Sequence, residues 1–163
     1  MSDGGARGNA LPVTVRRLQQ GDADAFGEFL SIFADAFGER ETYLSAQPRP
    51  AYRDSLLSDA GFIGLVAARG GIIVGALAAY ELRKFERERS EFYIYDLAVA
   101  EQHRRTGIAT AMIEHLKRLA ALRRGYVIFV QADYGDDAAI ALYTKLGTRE
   151  DVMHFDIEIG ERE

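Results

Sequence analysis

A strand-forming run, Phe92–Val99 (FYIYDLAV), gives way after a four-residue spacer to the turn Arg104-Arg105-Thr106-Gly107, and that turn opens straight into an amphipathic helix, Ile108–Leu122. Aromatic and β-branched residues favour a pleated, half-buried surface, whereas Ile108, Met112, Ile113, Leu116 and Leu119 recur at helical spacing. A strand delivered so abruptly into a helix requires layers of helix packed on sheet, which excludes all-helical and all-β architectures.

The rest of the chain agrees with that reading. Val13–Leu18 reads as a first strand, and Asp22–Phe37 as a helix with Phe26, Phe29, Leu30, Phe33 and Phe37 on one face, stopped by Gly38. A loop with Pro48 and Pro50 precedes a short helix over Tyr52–Leu57, ended by Asp59-Ala60-Gly61. Phe62–Arg69 and Ile72–Leu82 read as strands joined by Gly70-Gly71, a pair suited to a tight hairpin because both turn positions need positive φ. The charge run Lys84–Ser90 is a solvated connection or, alternatively, a substrate clamp. Tyr126–Ala132 is another strand, Ala138–Leu146 a helix closed by Gly147, and Val152–Ile159 alternates as a final strand. The expectation is an α/β fold, a mixed central β-sheet flanked by helices, with one domain over residues 11–163 behind a glycine-rich, mobile tail at residues 1–10.

Composition removes several chemistries. The chain has no cysteine, which leaves no disulfide, thiolate metal site or cysteine nucleophile, and no metal is expected. Apolar stretches are too short to span a bilayer and the start lacks an export signal, so a cytoplasmic location is expected. With 25 acidic against 20 basic residues the net charge is −5, which argues against a nucleic-acid partner and permits attraction of a polycationic ligand.

A helix start presents unpaired N–H groups and the positive end of a dipole, and small residues such as Gly107 and Ala109 let a diphosphate approach the main chain. Alternatively, Gly107 only turns the strand into the helix. No P-loop lysine and hydroxyl follow the glycine, and a dinucleotide fingerprint would need three glycines. The pattern Arg104-x-x-Gly107-x-Ala109 after Leu97-Ala98-Val99 resembles the acetyl-CoA-binding motif of the GNAT superfamily. Downstream, Ala139-Ile140-x-Leu142-Tyr143-x-Lys145-x-Gly147 resembles its second element. Gly75–Tyr80, Ile94–Val99, Val130–Asp137 (with QADYGDD) and Val152–Asp156 (VMHFD) look like the gentamicin 3-N-acetyltransferase family. Asp136 departs from the superfamily, where many members carry asparagine, and that departure puts the asparagine's cofactor contact in doubt.

The resemblance implies a GNAT-type fold, acetyl-CoA as co-substrate, and acetylation of the 3-amino group of a 2-deoxystreptamine aminoglycoside such as gentamicin, conferring resistance. Alternatives are acetylation of another amine, such as a polyamine or protein amino group, and a non-catalytic acyl-CoA-binding module. It further implies cofactor binding by Leu97, Ala98, Val99, Arg104, Arg105, Thr106, Gly107, Ile108, Ala109, Thr110, Tyr143 and Lys145, with a Val99 N–H as oxyanion donor and Tyr143 as proton donor to the departing thiolate. A homodimer is expected by analogy.

Asp96 sits in an otherwise apolar strand, where alternation places it opposite Tyr93, Tyr95, Leu97 and Val99. It is either a buried partner of an arginine or the group that holds the substrate ammonium and takes its proton. Asp133, Tyr134, Asp136 and Asp156, with Glu150 or Asp151, either cap and solvate local structure or line an anionic substrate pocket. Of the histidines, His115 reads as a helix-surface residue, His103 as a loop residue and His154 as a packed strand residue that alternates with Val152 and Asp156.

Overall fold

The computed structural model describes residues 11–160; the tail expected at residues 1–10 lies outside them. The chain divides into two compact units, one ending at Gln131 and the other starting at Ala132. In the first, β1 (Val13–Arg17), β2 (Phe62–Arg69), β3 (Ile72–Arg83), β4 (Ser90–Val99) and β5 (Gly125–Val130) form a five-stranded sheet in the order β1-β2-β3-β4-β5. Neighbours are antiparallel except β4 and β5, which are parallel and joined by the crossover helix α4 (Ile108–Leu122). The mixed sheet flanked by helices is the architecture the sequence implied.

Helix α1 (Ala23–Phe37) packs its phenylalanine stripe on one face of the sheet. Phe26, Phe29 and Phe33 are buried with Leu57, Phe62, Val66, Ala76, Ala78 and Ala98 in one cluster. Alanines on the sheet opposite phenylalanines on the helix let large side chains fill the space left by small ones. Helix α4 covers the other face with Ile108, Met112, Ile113, Leu116 and Ala120. There Gly75 permits close approach: a β-carbon at this position would stand 3.0 Å from both Ile108 and Met112.

Local signals behave as read. Gly38 ends α1 in the left-handed conformation at φ 69°. Gly70 and Gly71 take φ 59° and 82° in the β2–β3 hairpin. Pro50 opens α3 (Pro50–Ser58), where its missing N–H costs nothing. Among the described residues the second unit holds one helix, α5 (Asp137–Leu146), whose first turn is capped by Asp136 accepting from the Ala139 N–H at 3.0 Å.

Three expectations need correction. Residues expected as loop after Gly38 include a further helix, α2 (Arg40–Leu44), whose Tyr43 ring packs on Phe33 at 5.7 Å and Phe37 at 6.1 Å. Val152–Ile159 is not a strand: its alternation is genuine, but a strand exists only as a ladder, and the described residues of its unit contain no strand to pair with. His154 is therefore no strand residue; it lies exposed with Nε2 3.0 Å from Asp156 Oδ1. The third correction concerns Asp96 and follows from a bulge in β4.

Candidate acetyl-transfer site

Strands β3 and β4 pair Ala78 with Asp96 and Ala79 with Ile94, so Tyr95 is an extra residue with no opposite number. A bulge of this kind resets the alternation of the strand. Ahead of it, Phe92 and Ile94 are buried, and a β-carbon on Gly125 would stand 2.7 Å from the Phe92 ring on the α4 side. Beyond it, Asp96 pairs with Ala78 and Ala98 with Ala76, on the face covered by α1. Asp96 thus shares a face with Tyr93 and Tyr95 instead of opposing them. The Tyr80 ring of β3 contacts Tyr95 at 6.1 Å, and Tyr93 contacts Tyr95 at 5.7 Å.

The surroundings of Asp96 decide between its two readings. Tyr43 Oη donates to Asp96 Oδ2 at 2.9 Å. Burial pushes the Asp96 carboxyl above the usual aspartate value; the Tyr43 hydrogen bond works against that rise, and Glu39 adds to it. The Tyr43 hydroxyl is itself pushed well up, first by burial and then by the Asp96 charge, so it stays a neutral donor. No arginine, lysine or histidine forms an ion pair with Asp96 among the described residues, so it is not the buried partner of an arginine. A half-buried carboxylate facing tyrosines and another acid favours a cation that the described residues do not provide.

Strand β4 also opens beside this carboxylate. It pairs with β3 as far as Val99 but with β5 only as far as Ile94. The β5-facing main chain of Tyr95–Val99 is therefore outside any ladder among the described residues, and N–H groups there are available to a carbonyl ligand. After Val99 a 3₁₀ turn (Glu101–His103) leads to the α4 start. Arg105 and Gly107 take left-handed φ values of 59° and 82°. No side chain caps the helix at Gly107, and a β-carbon there would meet no atom of the described residues within 4 Å beyond its chain neighbours. Open first-turn N–H groups and unfilled space at Gly107 fit a diphosphate group.

Arg104 does not hold its guanidinium out at this turn; its Nε donates to the Val99 carbonyl at 3.1 Å and ties the strand end to the cradle. Thr106 Oγ1 donates to the His103 carbonyl at 2.6 Å and accepts from Arg69 Nη2 at 3.4 Å. Both bonds brace the turn from inside.

The structure brings Asp96, Leu97, Ala98, Val99 and Arg104–Thr110 together in the first unit. Tyr143 and Lys145 lie on α5 in the second unit, as do Asp133, Tyr134, Asp136 and Asp156 around it. Asp136 is engaged in capping, Asp151 pairs with Arg149 at 2.7 Å, and Tyr134 is 88% exposed. His103 lies in the 3₁₀ turn, and His115 on α4 is held below the usual histidine value, first by burial and then by Arg118. Among the described residues no group of acids and histidines could hold a metal ion, and no helix is long and apolar enough to cross a membrane. The sequence reading missed Tyr43, Glu39 and Tyr80. The one signal for the first two was a stretch after Gly38 free of glycine and proline and carrying Tyr43-Leu44.

An open strand runs here into an uncapped, glycine-led helix, and the sequence matches the acetyltransferase (GNAT) family over residues 27–148; the chain belongs to that family. Among solved structures, an aminoglycoside acetyltransferase from an uncultured soil metagenomic sample is 54% identical and superposes with a TM-score of 0.90, covering 92% of this chain and 100% of its own. A second soil-metagenome aminoglycoside acetyltransferase, crystallised in complex with sisomicin, is 28% identical with a TM-score of 0.83, covering 91% of this chain and 97% of its own. N-acetyltransferase 8B of Rattus norvegicus is 29% identical over 62% of this chain, and the chain spans only 46% of that relative's length.

Proposed function

We propose that this chain transfers the acetyl group of acetyl-CoA to an amino group of a cationic aminoglycoside, the 3-amino group of a 2-deoxystreptamine ring. The observation that carries the reading is Asp96: a half-buried carboxylate without a basic partner among the described residues, set beside an open strand and an uncapped helix start. The 54% identity to a soil aminoglycoside acetyltransferase supports the choice of substrate class, and the resemblance of QADYGDD and VMHFD to the gentamicin 3-N family supports the choice of nitrogen.

When bound, acetyl-CoA supplies an acetyl group activated as a thioester. Main-chain N–H groups at Gly107–Thr110 would hold its diphosphate, and those of Leu97–Val99 its pantetheine and carbonyl. Asp96 attracts the substrate ammonium and orients it; the ammonium first loses one proton to water, the neutral amine then attacks the thioester carbon, and Asp96 receives the second proton from the nitrogen as the C–S bond breaks. Tyr43 fixes one Asp96 oxygen, Oδ2, and leaves the other to the amine. Tyr143 keeps the role its motif implies, a proton donor toward the departing sulfur. A phenol, near pKa 10, gives up its proton to a thiolate, near 8.5, at modest cost.

The test is thiol release from acetyl-CoA with gentamicin, sisomicin and spermidine, followed by identification of the acetylated nitrogen. Turnover of the two aminoglycosides with acetylation at the 3-amino group supports the proposal. Turnover of spermidine alone points to a polyamine acetyltransferase, and binding of acetyl-CoA without turnover of any amine points to a non-catalytic module.

A further inference from the structure

An aromatic surface extends from Asp96 across three strands. Tyr80 of β3 meets Tyr95 of β4 edge to face, Tyr93 meets Tyr95 in the same way, and Tyr93 stacks on Phe129 of β5 with centroids 4.9 Å apart and planes 12° from parallel. Buried Phe62 supports Tyr80 at 5.5 Å. Tyr95 is 62% exposed in mid-strand, although Ile94 beside it is 2% exposed; Tyr80 is 38% exposed. The bulge produces this contrast, because without the extra residue Tyr95 and Asp96 would point to opposite faces. Core packing does not explain a large ring held out to solvent by a break in a strand.

The groups that face Asp96 are Glu39 and Tyr43 from the segment after α1, Tyr80 from β3, and Tyr93 and Tyr95 from β4. Burial raises the Tyr80 and Tyr93 hydroxyls, with Tyr52 adding to the rise at Tyr80 and Tyr95 and Asp96 at both, so both remain neutral. The surface is apolar and π-rich, with a carboxylate at one side.

We infer that Tyr80 and Tyr95 form a ring-binding platform beside Asp96, which takes the apolar face of a saturated ring bearing an ammonium group. The inference rests on the proposed function and deepens it by naming the part of the substrate that is recognised. The C–H groups next to an ammonium carry partial positive charge and lie favourably on the negative face of an aromatic ring, and an ammonium within about 6 Å of a ring centroid is attracted directly. The platform sets the ring and the carboxylate holds its amine, so a ring and its nitrogen are fixed at two points.

The chain has no tryptophan, so its near-ultraviolet absorption reports tyrosines, and an aminoglycoside contributes no aromatic band. Sisomicin titrated into the CoA-bound protein should give a tyrosine difference spectrum, and calorimetry should show Tyr95→Leu raising the sisomicin Kd about tenfold with an unchanged CoA Kd. Tyr95→Phe keeps the ring and should keep the affinity; Tyr80→Leu gives a second reading of the platform should Tyr95→Leu not fold. Sisomicin binding without a tyrosine difference spectrum, or with an unchanged Kd in the leucine variants while Asp96→Asn weakens it, overturns the platform and leaves the proposed function standing. Absence of sisomicin binding to the wild-type protein overturns both.

Discussion

At neutral pH Asp96 sits in an arrangement that opposes stability. Burial raises the Asp96 carboxyl above its unfolded value, so the folded chain binds that proton more tightly. The stability this contributes is present at low pH and is lost as pH rises through the window above the ordinary aspartate value; at neutral pH the ionised group opposes folding. Asp96→Asn, which keeps an acceptor for the Tyr43 hydroxyl, is therefore expected to hold or raise Tm while lowering kcat/KM about 100-fold or more. Thermal melting and steady-state kinetics side by side check this, and an early-melting variant with normal turnover would make Asp96 a scaffold residue. Tyr43→Phe removes the one hydrogen bond that lowers the Asp96 pKa. Below that pKa the protonated carboxyl neither attracts an ammonium nor takes a proton, so the acidic fall of kcat/KM should move to higher pH in the variant. An unmoved pH profile would leave Tyr43 as a packing residue on Phe33 and Phe37.

At the scale of elements, the proposed cradle depends on a helix start that no described residue fills. Gly107→Val places a branched side chain in the open space at φ 82° and adds about 1–2 kcal/mol of left-handed strain. Acetyl-CoA affinity should fall at least tenfold in a folded protein; calorimetry that shows no loss would remove the cradle assignment. Gly125 matters in a different way: a β-carbon there would stand 2.8 Å from the Ala120 carbonyl and 2.9 Å from its β-carbon, so Gly125→Ala should cost about 1–3 kcal/mol, read as a lower denaturation midpoint. Most of these elements were legible in the sequence because their signals are local. The phenylalanine spacing gave α1, the Gly70-Gly71 pair gave the hairpin, and α4 runs over Ile108–Leu122 as its periodicity implied. What escaped depends on non-local pairing. The bulge at Tyr95 exists only in the register of β4 against β3, so alternation put Asp96 on the wrong face; α2 is held by Tyr43 packing on Phe33 and Phe37; and the alternation of Val152–Ile159 says nothing about whether a ladder partner exists.

For the whole molecule, the net charge of −5 acquires a use only in combination with the placement of its charges. Asp96 has Glu39 as its charged neighbour, and neither forms an ion pair among the described residues, so the local field and the global charge have the same sign. Several other acids are already paired with basic groups at the surface, as Asp22 is with Arg16 and Glu114 with Lys117, and contribute little beyond the Debye length. On the proposed function, a polycationic aminoglycoside would be drawn by long-range attraction and fixed by short-range contacts, and salt separates the two. Raising ionic strength from about 0.1 M to about 1 M shortens the screening length from about 10 Å to about 3 Å, which weakens the first and spares much of the second. KM for gentamicin should rise over that range, because a lower encounter rate and weaker capture both enter it, while kcat, set by groups already in contact, should change far less. A fall of kcat with constant KM would mean that salt acts on the reacting groups themselves, and the anionic surface would then have no part in gathering the substrate.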